Sequence, residues 1–160
     1  MDPEQVQVTH DSDAPARQAG ATSPTRAAAS PARALMPLVL VVEDDARMRR
    51  YLRAALADQR FRVVESDTGA EALVQAAAHN PDLVLLDFRL PDLDGVQVTT
   101  KLREWTAAPI LVLSVHDDEH EKIAALDAGA NDFLTKPFAT GELLARIRVW
   151  LRHTQRADAE

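Results

Sequence analysis

The sequence predicts an α/β protein built on a parallel sheet, and three observations carry that expectation. Short apolar runs alternate with stretches of helical period. The runs at 38–43, 82–87 and 110–114 are apolar almost throughout, as strands covered on both faces are. Four runs also end at a polar residue: Leu38–Val42 at Glu43-Asp44-Asp45, Leu83–Leu86 at Asp87, Ile110–Leu113 at Ser114, and Phe133-Leu134-Thr135 at Lys136-Pro137. Alternating βα units imply right-handed crossovers. The C-terminal ends of the strands then share one edge, where α/β proteins place their sites.

Taken in order, the first strand is followed by Met48, Tyr51, Leu52, Ala55 and Leu56 at helical spacing. Phe61-Arg62-Val63-Val64-Glu65 is shorter and more mixed, which suits an edge strand. Ala70, Leu73, Val74 and Ala77 form the stripe of the next helix, and Leu143, Leu144, Ile147 and Leu151 that of the last. The alternation gives five strands and five helices, with Gly69, Gly95, Gly129 and Gly141 at the joints. Residues 1–36 are rich in alanine and carry Pro3, Pro15, Pro24 and Pro31, with little to build a core. They are expected to be a disordered tail or a partner-binding segment. The folded domain is expected over 37–153, with 154–160 a C-terminal tail or the start of a linker.

Composition excludes several classes. The net charge of −7 argues against a nucleic-acid-binding surface. With no cysteine there is neither a disulfide framework nor a thiolate metal site. No apolar run approaches the roughly 20 residues of a membrane helix, and Met1 to His10 does not read as a signal peptide. The expected location is the cytoplasm.

The strand ends suggest phosphoryl chemistry around a hard cation. Two unit charges about 4 Å apart repel by roughly 4 kcal/mol at an effective dielectric of 20. Gathering Glu43, Asp44 and Asp87 therefore requires raised pKa values or a cation among them. Oxygen ligands with open positions suit Mg²⁺ or Mn²⁺. Solvated and apart, the same acids would be ordinary strand-end residues, and Asp45 has the place of a helix cap. Asp87 at the end of a buried strand can act as a nucleophile on phosphorus. Lys136 would pair with the oxygens of the transferring group, and Ser114 would donate its hydroxyl to another. A cis bond before Pro137 would aim the Lys136 side chain. His116 and His120 lie among acids and read as solvated helix-start residues. No glycine-rich phosphate loop follows the first strand, which speaks against a nucleotide-binding protein.

Val41-Val42-Glu43-Asp44-Asp45, Leu85-Leu86-Asp87 with Leu90-Pro91-Asp92-Leu93-Asp94-Gly95, Ser114, and Thr135-Lys136-Pro137-Phe138 together resemble the receiver domain of two-component response regulators. The resemblance covers roughly Leu38 to Arg152. Lys122–Ala130 and Gly141–Arg148 are similar to the OmpR/PhoB group, and within it to its potassium-responsive regulators. It implies a flavodoxin-like, doubly wound fold of strand order 2-1-3-4-5. It implies that Asp87 accepts a phosphoryl group from a sensor histidine kinase. Asp44, Asp87 and the main-chain carbonyl of Arg89 would ligate Mg²⁺, with Glu43 holding it through water. Lys136 would bind the phosphoryl group, Ser114 would move toward it, and Phe133 would be an aromatic switch.

The resemblance also implies a phosphorylation-dependent homodimer through the fourth helix, fifth strand and fifth helix. Its matching residues are Lys122, Asp127, Asp132, Arg146 and Arg148. Asn131 and His153 depart from the group's pattern, each removing an expected ion pair. The group reaches DNA through a winged-helix domain, and nothing after Arg152 could form one. The chain is therefore expected to be an excised receiver or a stand-alone one, the latter acting as a phosphorelay intermediate or interaction module. It is not expected to be an enzyme beyond its own phosphorylation and slow dephosphorylation. A haloacid-dehalogenase-type phosphatase would need a second Asp where Arg89 stands. A flavodoxin-like cofactor carrier would need the missing phosphate loop. Val115, beside Ser114, is expected to shield an acyl phosphate from water better than alanine.

Overall fold

A computed structural model describes residues 36–158. The tail expected over 1–36 lies outside the described residues except for Met36, as do the last two residues of the chain. Five strands form one parallel sheet: β1 (Leu38–Val42), β2 (Arg62–Ser66), β3 (Leu83–Asp87), β4 (Ile110–Ser114) and β5 (Asp132–Thr135). Their spatial order is β2-β1-β3-β4-β5, so the expected order 2-1-3-4-5 is the observed one. The helices are α1 (Ala46–Asp58), α2 (Gly69–His79), α3 (Gly95–Arg103), α4 (Glu119–Asp127) and α5 (Thr140–Asp158).

The strands are apolar throughout because both faces are covered. Val39, Val41, Leu83, Leu85, Leu111 and Leu113 turn to the face packed by Leu52 and Leu56 of α1 and by Leu143, Ile147 and Leu151 of α5. Leu40, Val42, Val84, Leu86, Ile110 and Val112 turn to the other, against Ala72, Ala76, Val98, Leu102 and Ala125 of α2, α3 and α4. The period of two along each strand thus builds two cores from one run. β2 is half-buried, as an edge strand should be.

Helix starts follow local chemistry. Asp45 accepts from the N–H groups of Arg47 and Met48, as its position suggested. Thr68 caps α2, Asp118 caps α4, and Asp94 forms a reciprocal capping box with Gln97 on α3.

Three details depart from the expected pattern. The stripe on α2 is out of phase: Ala72 and Ala76 face the sheet, Leu73 is half-buried and Val74 is exposed. In a helix where nearly every residue is apolar, the pattern cannot set the phase, and small alanines pack closest to the sheet. Gly141 lies inside α5 in open space rather than at a tight joint. α5 runs unbroken past 153 to Asp158.

The end of the sheet opposite the polar strand ends is held by one half-buried cation. Arg103 donates from Nε to Gly129 O (2.9 Å), from Nη1 to Thr106 O and Ala108 O, and from Nη2 to Asn131 Oδ1 (2.7 Å). Asn131 Oδ1 also accepts from Ile110 N. Gly129 has φ +115°, and a Cβ there would stand 2.8 Å from Arg103 Cγ.

Ile147 and Val149 sit on opposite faces of α5, one fully buried and the other exposed. Urea titration should show Ile147→Ala costing about 2–5 kcal/mol. Val149→Ala should stay within about 0.5 kcal/mol of the parent.

Candidate functional site

The parallel register sets the strand ends level. Asp87 pairs with Leu113 one residue before β4 ends at Ser114, and Ser114 pairs with Thr135 at the end of β5. The β1 end continues the pattern, with Glu43 N donating to Ser66 O of β2. Glu43, Asp87 and Ser114 are buried there, and Asp44 is exposed at the rim. Carboxylate oxygens of Glu43, Asp44 and Asp87 all lie within 4.8 Å of one another. The three acids singled out in the sequence are therefore one cluster.

Lys136 enters from β5, beside a cis Lys136–Pro137 bond. Its Nζ lies 2.7 Å from Glu43 Oε2 and 3.5 Å from Asp87 Oδ1. Its backbone N donates to Ser114 O at 2.6 Å, joining the fourth and fifth strand ends. Ser114 Oγ accepts from His116 N at 3.1 Å. Phe133 is buried, and its ring meets Phe88 edge to face at 6.3 Å. Val115 is 63% exposed at the rim. His116 and His120 are exposed, as expected of solvated residues.

Burial dominates the electrostatics. It pushes the Glu43 carboxyl from 4.5 up to about 7, with the Lys136 hydrogen bond pulling the other way and the Asp87 charge adding to the rise. Asp87 is also raised, by burial first, against the pull of Lys136. One ammonium does not compensate the buried carboxylates. Three hard oxygen donors, one at an open rim, fit a divalent cation.

Contacts the sequence did not reveal shape the loops around this cluster. Arg49 Nη1 donates to the carbonyls of Glu43 (2.8 Å) and Asp44 (3.1 Å), fixing the β1–α1 turn. Asp92 reaches from the β3–α3 loop to accept from Gly69 N (2.8 Å) and Ala70 N (2.9 Å) at the start of α2. Arg89 begins that loop, its backbone bridged to Asp94. Its side chain leaves the acids for Glu121 of α4. No local pattern announces contacts that cross between elements in this way.

The residues matched to a pairing surface lie on α4, β5 and α5. Lys122, Asp127 and Arg148 are exposed. Asp132 and Arg146 pair within the chain at 3.1 Å, and Trp150 Nε1 also donates to Asp132. Asn131 is half-buried and faces Arg103. Its side-chain oxygen accepts from Arg103 and from Ile110 N, so an amide stands where an acid would form an ion pair with Arg103 inside the chain. His153 packs edge to face on Trp150.

The family described as response regulator receiver domain matches residues 39–148. The KDP operon transcriptional regulatory protein KdpE of Escherichia coli (strain K12) is 52% identical over 117 residues, covering 73% of this chain and 52% of the relative. The chain spans about half the length of the curated relatives it matches. The BeF3-activated N-terminal receiver domain of Klebsiella pneumoniae RstA superposes with a TM-score of 0.70 at 36% identity, covering 72% of this chain and 98% of that one. The receiver domain of the sensor histidine kinase PA1611 from Pseudomonas aeruginosa PAO1, whose structure has magnesium in the active site cleft, gives 0.68 at 31% identity over 72% of this chain and 98% of that one.

The raised Glu43 pKa sets a direction for stability against pH. The folded chain holds this proton more tightly than the unfolded chain between about 4.5 and about 7. Stability is therefore greatest below that window and falls as pH rises through it, by about 3 kcal/mol for a shift of this size. Asp92, lowered by the N–H groups of Ala70 and Gly69, acts the opposite way below its ordinary 3.8 and leaves the window clear. Denaturant titrations in chelator at about pH 5 and about pH 7.5 check this. Asp87, also raised by burial, adds to the fall, so Glu43→Gln should reduce the slope and leave the Asp87 part, and a divalent cation should restore stability to the parent at the higher pH.

Proposed function

The chain belongs to the response regulator receiver domain family, and on that footing we propose that it is a phosphorylation-driven switch loaded by a sensor histidine kinase at Asp87. The observation that carries this reading is a buried carboxylate at the end of β3, inside a cation-binding cluster, with Lys136 Nζ at 3.5 Å.

In the transfer, an Asp87 oxygen attacks phosphorus, the P–N bond of a phosphohistidine breaks, and the imidazole nitrogen keeps the electron pair. Glu43, Asp44 and Asp87, with the Arg89 carbonyl, would hold Mg²⁺ or Mn²⁺. That ion supplies neutralisation of charge on the transferring group. Lys136 turns from Glu43 toward the new oxygens, and Ser114 donates its hydroxyl to one of them. Because Lys136 N and Ser114 O are bonded, the two strand ends respond together, and Phe133 follows on β5.

Arg89, two positions after the acceptor, carries a fixed cation and cannot serve as the general base for water attack on the acyl phosphate. The chain is therefore not an enzyme toward outside substrates, and the phosphoaspartate is its signal. This same position weighs against a phosphatase of the haloacid dehalogenase type.

The output is a homodimer through α4, β5 and α5. Exposed Ile123, Leu126 and Val149 lie on these helices among Lys122, Asp127, Arg146 and Arg148, a mixture suited to a two-fold interface. The likeness to KdpE favours control of transcription at genes of potassium transport. The alternative is a phosphorelay intermediate that transfers without dimerising.

Incubation with acetyl phosphate and Mg²⁺ should add one phosphoryl group to the parent's intact mass. Asp87→Ala or chelator should abolish it, and ultracentrifugation should show dimer only in the loaded parent. Uptake by Asp87→Ala equal to the parent's would remove this reading. Val115→Ala should shorten the lifetime of the loaded state, as followed by loss of that mass.

A further inference from the structure

Arg89 stands two positions after the acceptor, yet its guanidinium turns away from it. Nη2 donates to Glu121 Oε1 on α4 at 2.6 Å. The two ends of this bond are unequal, with the Arg89 side chain 62% exposed and that of Glu121 15% exposed. The second Glu121 oxygen, Oε2, is buried with no hydrogen-bond partner. That carboxylate depends on one cation, and the cation is a long arm lying in solvent. Meanwhile the Arg89 backbone N–H lies 3.5 Å from Asp87 Oδ1, so the arm is rooted beside the acceptor. The other nearby cation, Lys136, is engaged by Glu43 at 2.7 Å.

Loading changes Asp87 from a single carboxylate charge to a doubly charged acyl phosphate with three outer oxygens. A planar guanidinium fork matches such a group better than it matches one carboxylate oxygen. Resting on the receiver reading above, we propose that Glu121 holds Arg89 off the acceptor in the resting chain. On loading, Arg89 moves to the phosphoryl oxygens and frees the first turn of α4. The pair is then a latch that opposes loading, and by reciprocity anything that frees Arg89 favours the loaded state. The buried Oε2 supplies the consequence. Without Arg89, neither Glu121 oxygen keeps a charged partner, and this turn must open to water. Lys122 and Ile123 follow directly, so the opening reaches the pairing face.

Beryllofluoride with Mg²⁺ is the probe, read by calorimetry. Glu121→Gln should tighten its binding about two- to fivefold, the size of one partly exposed ion pair. Arg89→Ala should weaken it, and adding Glu121→Gln to that variant should change nothing further. Glu119→Gln removes the same charge from the same turn, at a residue with no ion pair among the described residues. It should bind like the parent. Hydrogen exchange at Lys122 and Ile123 should quicken when the parent binds beryllofluoride and be quick already in free Glu121→Gln. Unchanged affinity in Glu121→Gln overturns the latch. So does tightening that persists without Arg89 or that Glu119→Gln reproduces. A parent that takes up no beryllofluoride, like its Asp87→Ala control, removes the receiver reading and the latch together.

Discussion

The ammonium of Lys136 stands between two buried carboxylates, and the arrangement of the strand ends depends on it. Glu43 and Asp87 come from β1 and β3, adjacent strands whose parallel pairing forces their ends together. Repulsion between them in a poorly hydrated edge would cost several kcal/mol if unanswered. Lys136 answers it in part, from the end of β5 on the far side of β4, and so ties three strands to one charge balance. Burial, which this one ammonium does not offset, holds the pKa values of both acids raised. A site in that condition is poised to take up a cation or a proton, and to rearrange when its own charge changes.

Much of this was legible in the sequence because the relevant signals are local. Each buried strand is a continuous apolar run, so its end is marked by the first polar residue. Asp87 and Ser114 stand at such ends, and Lys136 follows Thr135 at a third. Asp45 was legible as a cap for the same reason, since its partners are two and three residues on. What escaped was contact between elements. Lys136 and Glu43 are 93 positions apart, Asp92 and Gly69 are 23, and Arg89 and Glu121 are 32. Nothing in a residue's neighbourhood encodes a partner at that distance. Asn131 shows the opposite hazard. A departure from a family pattern suggested a lost ion pair, and the side chain faces Arg103 within the chain, a partner the pattern did not name.

The two ends of the sheet are built on different principles. One edge gathers acids, a lysine and a hydroxyl into partial compensation. The other is closed by Arg103, a cation held by four carbonyl or amide oxygens and no acid. Neutral acceptors satisfy its hydrogen bonds without a counter-charge, and burial lowers its pKa accordingly. That end has little reason to respond to charge arriving at the other.

The packing of α4 determines what form that change can take. Only Ala125 of this helix is buried, so its grip on the sheet is slight. Just beyond its last turn, the Gly129 carbonyl is gripped by Arg103, while its first turn is held through Glu121. A rod fixed at one end and lightly tethered at the other behaves as a lever with its fulcrum near Gly129. Small displacements at the tether become the largest movements at the N-terminal half, and little motion reaches the C-terminal half. Any freedom released at the Glu121 contact is therefore greatest in the first turn and smallest beside Gly129.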